Sequence, residues 1–475
     1  EAFVRIFRMD IEAFSARFKN DLKQYYAHFE GGRDKTATEG VIASGALGAE
    51  MNIAPSISPD GRYVAYISSK DVLSMNLFIS ETATGKVVKK INTDGFGQHV
   101  DSYSFMESTI TWAPDGQKVA LVIPPKARNK LLVLDAFKGG KKEYAIPELD
   151  AFTNPAWSPD GEHLVITGIR NGIVDLFLYN LRTAELKNLT RDVFSEVQPA
   201  WSPDGQFIYF VTDRGGDTAY LEKERLKIAR YTLSSGQVDV LPLFEGVDNV
   251  NPQVSSDGKF VYFLSSPDGF RDLYKTELAT GKISRVSNYY TGISGITSYS
   301  PALSVASKSG DAVFNLLNKG EYSIVFSSAA ALESRSYEVI SRNTGAGILP
   351  PGRITRGEDV VQRNLDRTQR PNVVTAEVYQ DLPYKGKFKL DYLANSGISA
   401  GVSRFGAGMA GGVMALFSDM LNNNQLAASV ALNGEIEDFG GQVYYLNQKH
   451  KWQFGFSGGH IPYRLYGGYD GTAGD

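Results

Sequence analysis

Few side chains in this 475-residue sequence could do chemistry, and their spacing excludes most of what they might do. There is no cysteine, which removes a thiol nucleophile, a disulfide scaffold and any cysteine-ligated metal. The five histidines, His28, His99, His163, His450 and His460, include no pair at ligand-like spacing, so histidine zinc chemistry is not expected. No HExxH occurs. One G-x-S-x-G match exists, Gly455-Phe456-Ser457-Gly458-Gly459, but it lies among alternating Trp452, Phe454 and Phe456. That alternation reads as a β-strand and not as the strand-to-helix elbow of a serine hydrolase, and only His460 follows it. The glycine-rich run GAGMAGG at 406–412 lacks the lysine and the downstream acid that a phosphate or dinucleotide loop requires. The chain is therefore read as non-enzymatic, with no cofactor and no metal.

The elements that would position any site are written in a repeat. An Asp-Gly turn recurs at Asp60-Gly61, Asp115-Gly116, Asp160-Gly161, Asp204-Gly205 and Asp257-Gly258, with a degraded sixth copy at Ser309-Gly310-Asp311. Trp112, Trp157 and Trp201 each stand three residues before the Asp. Proline sets φ in most copies, Asp accepts backbone hydrogen bonds and Gly takes the left-handed conformation that turns the chain back. These aspartates are turn formers, and the tryptophans are read as packing between repeats. An alternating strand follows each turn ("FIYFVT" at 207–212, "FVYFLS" at 260–265), then a third ("DLFLYNL" at 175–181, "DLYKTEL" at 272–278) and a short fourth. Four antiparallel strands in roughly 45–55 residues make one propeller blade, and six such units place a six-bladed β-propeller at 50–330. Connections between blades gather at the channel mouth, and here they carry Asp101, Asp150, Asp192, Glu196 and Asp248. This acidic rim is a candidate site for a basic partner segment or a cation, with solvated loop charge as the plainer alternative.

The ends differ from the repeat. Residues 11–29 place Ile11, Phe14, Phe18, Leu22 and Tyr25 at helical spacing, so 1–49 reads as a helical segment, and the start at Glu1 reads as a processed or internal start. Residues 331–395 read as a linker or extended crossing segment, with Gly and Pro at 345–352. Residues 396–475 hold 16 of the 48 glycines but only 10 Asp, Glu, Lys and Arg residues. Leu426, Ala428, Val430 and Leu432 alternate on one face there, as do Trp452, Phe454 and Phe456. Antiparallel strands of that kind fit the opening of an outer-membrane-type β-barrel, about five strands where a closed barrel needs at least ~8. A soluble sheet packed on the propeller is the alternative. No apolar stretch reaches the ~18 residues of a spanning helix. The net charge of −4 argues against nucleic acid as a partner.

The stretches "WSPDG", "FVTDRGG" (210–216), "DLFLYNLRTAELKNLT" (175–190) and 251–281 resemble the WD-like repeats of TolB-type propellers, which also occur in relatives of prolyl oligopeptidase and dipeptidyl peptidase IV. "FKLDYL" (388–393), "SRFGAGMAGGVMALFSDML" (403–421) and "GGQVYYLNQKHKWQFGF" (440–456) resemble the opening strands of a surface-antigen-like barrel. In a group of large outer-membrane proteins, mostly from Bacteroidetes-like bacteria, such a barrel follows a TolB-type propeller, and 289–306 is similar to that group's bridging stretch. The resemblance implies an outer-membrane protein of a Gram-negative bacterium with its propeller in the periplasm, binding other outer-membrane or periplasmic proteins. Members usually carry a gluzincin-like peptidase ahead of the propeller, which leaves two alternatives: the regulatory propeller of a larger metallopeptidase, or a soluble TolB-like periplasmic adaptor.

Overall fold

The computed structural model describes residues 2–29, 31–35, 37, 39–71, 74–91, 109–123, 129–214, 225–297, 299–337, 344–347, 384, 386–403, 406–434 and 439–460. It divides into two compact units, 1–369 and 370–475.

The first unit holds six four-stranded antiparallel sheets among the described residues, joined in chain order. Their first strands are Asn52–Ile57, Thr111–Trp112, Ala151–Trp157, Glu196–Trp201, Asn249–Val254 and Leu303–Val305. Each first strand touches the first strand of the next sheet, and that of the sixth touches that of the first, so the sheets close into a propeller-like ring. The sixth sheet takes its outermost strand, Val41–Ala43, from the opposite end of the unit, where it pairs with Glu321–Ser327. These three residues belong to the ring and not to the N-terminal helical segment expected over 1–49, since a three-residue strand carries no periodicity of its own.

Hydrophobic burial between sheets supplies the core. Ile53, Ile67, Leu77 and Ile79 of the first sheet pack against Trp112, Val119, Leu121 and Leu132 of the second. The second strands differ from their expected alternation: in Phe207–Thr212 the five residues after Phe207 are all buried. A sheet on either side covers both faces, which favours an unbroken apolar run over alternation.

The recurring turn has one geometry. At Ser202–Gly205 the Ser202 hydroxyl donates to Asp204 Oδ1 (2.6 Å), which also accepts the Gln206 amide (3.0 Å). These bonds, the Ser202 hydroxyl first, hold the Asp204 carboxyl below the ordinary carboxylate range. Ser58 and Ser255 repeat the arrangement on Asp60 and Asp257. Where the second sheet has Ala113, Asp115 keeps only the amide bond from Gln117 (2.8 Å).

Ahead of the ring, helices Ala2–Phe7 and Ile11–Ala27 meet through Phe3, Phe7 and Phe14, with Phe18 stacked on Phe14, and Asp10 caps the second by accepting the Ala13 amide (2.7 Å). The second unit is a five-stranded antiparallel meander: Lys389–Ser403, Gly406–Ser418, Asn424–Gly434, Phe439–Asn447 and Phe454–His460. Register puts Phe417, Leu426, Tyr445 and Phe456 in one row and Ala415, Ala428 and Val443 in the next row of the same face. Ser429, Gln442 and Gln425 fall on the opposite face. The first of these strands begins at Lys389, inside the expected linker, and Trp452 lies in the turn before the last strand. The Leu432 side chain lies outside the described residues.

The turn geometry yields a graded expectation. Gly116 has φ +70° and a Cβ there would meet only Pro59 at 3.9 Å, whereas at Gly61 (φ +78°) it would meet Asp311 Oδ2 at 2.4 Å. Gly116→Ala should cost about 1 kcal/mol, the left-handed penalty alone, and Gly61→Ala clearly more. Equal thermal-unfolding losses for the two would contradict this account of the turn.

Candidate functional site

The first strands share a device that shapes the ring's interior. Ala54, Asn154, Gln198 and Asn251 have φ of +48° to +54°, each precedes a proline, and each falls where the pairing with the second strand slips. A single left-handed residue at a bulge re-aims its side chain out of the ladder. The Asn251 amide donates to Gln198 Oε1 (2.8 Å), and the Ala302 amide donates to Asn251 Oδ1 (2.9 Å), linking the fourth, fifth and sixth sheets. The remaining seams are bridged as well. Trp112 Nε1 donates to the Ser56 carbonyl (2.9 Å), the Trp157 amide to Thr111 Oγ1 (3.0 Å), Trp201 Nε1 to the Ala156 carbonyl (3.0 Å) and the Ile57 amide to Ser304 Oγ (3.1 Å). Trp157 alone turns its indole back to its own turn, donating to the Gly161 carbonyl (3.1 Å).

Where the first strands end, a cavity of about 340 Å³ opens. Pro55, Pro155, Pro199 and Pro301 line it with the turn prolines, the three tryptophans and Ser158, Ser202, Ser304 and Ser307. Lys308 is its one charged lining residue among the described residues and spans to the Pro114 carbonyl (2.7 Å). Stiff apolar rings with interspersed hydroxyls suit contact with a peptide segment and offer no general base. The nearest approach to a catalytic constellation is Ser158, Asp160 and His163. Its hydroxyl donates to the carboxylate, not to the imidazole, whose Nε2 faces Asn180 Nδ2 (3.0 Å). Among the described residues no group of three His, Asp or Glu could hold a metal ion.

The described residues of the expected acidic rim lie at one end of the first strands, except that Glu196 is buried. Asp150, Asp192, Glu196 and Asp248 sit before or at the start of the first strands, so they lie at the opposite end of these strands from the cavity. Asp150 Oδ2 accepts the Asn171 amide (3.0 Å), pinning its loop to the hairpin of the sheet it enters, and Asp248 Oδ1 accepts the Leu226 amide (3.0 Å), pinning its loop to the start of the third strand of the preceding sheet. Glu196 is fully buried, so the rim reading is corrected there: its carboxylate accepts from Arg214 Nη2 (2.9 Å) and Thr190 Oγ1 (2.8 Å), and Asp192 shares Arg214. Asp101 lies outside the described residues.

Sequence reasoning missed the buried acid behind this cluster. Asp175, in the stretch "DLFLYNL", accepts from Asn188 Nδ2 (2.8 Å) and lies 3.1 Å from Thr190 Oγ1. Asp272, at the start of "DLYKTEL", accepts from Ser287 Oγ (3.0 Å). The available signal was Asp-Leu opening a third strand with Thr or Ser 15 residues later, in both copies.

Residues 91–305 match the PD40 family model, the TolB beta propeller domain, which supports a TolB-type β-propeller domain within the six-sheet ring. The chain is similar to the Tol-Pal system protein TolB of Ruthia magnifica subsp. Calyptogena magnifica, 33% identical over 82 residues (17% of this chain, 19% of that one). It is also similar to the uncharacterized peptidase YuxL of Bacillus subtilis, 30% identical over 118 residues (24% and 16%). The chain thus spans less than a fifth of each of these curated relatives. Among solved structures, TolB from Acinetobacter baumannii aligns at 21% identity and a TM-score of 0.43, over 59% of this chain and 61% of that one. The β-propeller domain of the Trilobed protease from Pyrococcus furiosus aligns at 13% identity and a TM-score of 0.39, over 82% and 96%.

Burial pushes the Glu196 carboxyl up to about 7, against the pull of Thr190 and Arg214. The folded protein therefore holds this proton more tightly than the unfolded chain, whose value is 4.5. That contribution to stability is complete below pH 4.5 and is lost as pH rises through about 7. Glu196→Gln, neutral throughout, should gain on the wild type across this window by on the order of 3 kcal/mol. A stability difference independent of pH would refute the assignment.

Proposed function

We propose that the protein is a non-enzymatic binding or assembly module, a six-bladed TolB-like propeller that faces the periplasm and is carried by an outer-membrane β-barrel. The observation that carries the anchoring is the second unit's open apolar face. Phe456 is 69% exposed, Val443 51% and Val430 46%, all on the side away from Gln442 and Ser429. Monomeric proteins in water seldom leave such a patch uncovered, and a bilayer covers it without a partner protein. The strands run 15, 13, 11, 9 and 7 residues, and the first four reach the about 9–11 residues that cross a tilted hydrocarbon layer. Tyr445 and Phe456 on this face, with Trp452 in the adjacent turn, supply the aromatic residues of an interface girdle. Five strands are fewer than the ~8 of the smallest single-chain barrels, so closure draws on further strands.

For the propeller, the wide cavity at the ends of the first strands is the surface offered to a periplasmic or outer-membrane protein partner. The rigid ring holds that surface while leaving only short sheet edges. A second reading is the regulatory propeller of a larger peptidase, supported by the similarity to YuxL over 118 residues. An HExxH motif elsewhere in the complete gene product would favour it.

Intact mass combined with fractionation of the native protein tests the anchoring: membrane recovery is expected, and a soluble 52.0 kDa species would overturn it. Substitution resolves the faces. Val443→Arg should sharply reduce the membrane-assembled fraction, at a cost of about 2–4 kcal/mol, while Gln442→Arg next to it is tolerated. Equal losses from both would remove the lipid-facing assignment.

A further inference from the structure

The chain that enters the ring does so over a strap, residues 31–35, lying on the fifth sheet just before the Val41–Ala43 strand. Its backbone is lightly held. The Asp34 amide donates to the Asn288 carbonyl (2.9 Å), the Tyr290 amide to the Asp34 carbonyl (2.7 Å), and Asn288 Nδ2 to the Gly32 carbonyl (2.6 Å). A Cβ added at Gly31 or Gly32 would meet nothing within 4 Å, so the two glycines ahead of Arg33 stand in open space.

Arg33 itself is the exception. Its side chain is 5% exposed and is bound on every side. Nη2 reaches Asp268 Oδ2 (2.8 Å) and Asp272 Oδ2 (3.2 Å), and Nη1 reaches Asp272 Oδ2 (3.2 Å) and the Tyr289 carbonyl (3.0 Å). The guanidinium lies 3.5 Å from the Phe270 ring centroid. Arg285 is built into the wall beneath, on Asp272, Asp268, Asn288 and the Ser287 carbonyl. Two carboxylates are thus balanced by two guanidiniums, one fixed in the sheet and one delivered from more than 230 residues away. With Arg33 withdrawn, two buried aspartates would face Arg285 alone, and a buried uncompensated carboxylate demands a replacement cation. Planar donors in a fork, two carboxylate acceptors, a carbonyl and an aromatic lid select guanidinium over ammonium.

We propose that Asp268, Asp272, Phe270 and the Tyr289 carbonyl form an arginine-binding socket, which Arg33 fills in cis and an arginine side chain of a partner segment fills when the strap lifts. The socket stands apart from the cavity and does not depend on the membrane reading. Because the strap runs into the short strand that completes the sixth sheet, occupancy in trans would loosen the ring's closing strand, coupling partner capture to the N-terminal segment.

Agmatine, a guanidinium on a butyl stem, is the probe, with cadaverine as the ammonium control. By calorimetry on the full chain, Arg33→Ala should bind agmatine saturably, and at least about tenfold more tightly than it binds cadaverine. The same preference should be absent from Arg33→Ala/Asp272→Asn. No agmatine binding, or equal binding of the two amines, would overturn the socket. Should Arg33→Ala fail to fold, hydrogen exchange on the unmodified protein decides. Agmatine captures the lifted state, so it should speed exchange of the Asp34 and Tyr290 amides, and exchange unchanged by agmatine would count against displacement.

Discussion

Hydrogen bonds between neighbouring first strands are the constraint on which the ring depends. A four-stranded sheet has two apolar faces and two edges, and burial alone lets such sheets slide on one another. The bonds from Trp112 to Ser56, Trp157 to Thr111, Trp201 to Ala156, Asn251 to Gln198, Ala302 to Asn251 and Ile57 to Ser304 fix the offset at each seam. Each forms deep in the structure, where a lost partner leaves a buried polar group unsatisfied at about 1–3 kcal/mol. The left-handed residues before the prolines are the cost of reaching across. Asn tolerates that conformation better than most residues, and it appears at two of the four positions.

This arrangement separates two ends of the ring chemically. At one end the prolines, tryptophans and serines of the turn leave a nearly uncharged cavity. At the other, the acidic residues are consumed in holding connections to hairpins, and two acid clusters, around Glu196 and around Asp272, are drawn fully inside. Both clusters recruit arginine, one from the adjacent hairpin (Arg214) and one from the distant strap (Arg33). A buried acid is thus paired once from within its own sheet, Glu196 at the start of a first strand with Arg214, and once with help from the N-terminal segment, Asp272 at the start of a third strand with Arg33 beside Arg285.

The second unit follows a different solvent logic. Its first three strands are longer than any described strand of the ring, one face is apolar and open, and the other mixes Ser429, Gln442 and Gln425 with Met414 and Tyr444. A sheet of this kind has no core of its own among the described residues, so its stability must come from what covers it.

Local features were legible because they need no distant partner. The Asp-Gly turns, the repeat length, the helix at 11–27 and the alternation in 426–430 each follow from residues a few positions apart. Placement of the acids was not legible. Asp150 and Glu196 look alike in sequence, but the first lies at the surface on an amide and the second is buried on Arg214, 18 residues further along. Nor could Val41–Ala43 or Arg33 be assigned, since a three-residue strand and a single arginine acquire meaning only when the ring brings residues 270–290 and 321–327 beside them. Turn chemistry is a short-range property and is written in the sequence. Which charges are buried, and by which counter-ion, is decided by long-range closure, because only the closed ring removes water from them.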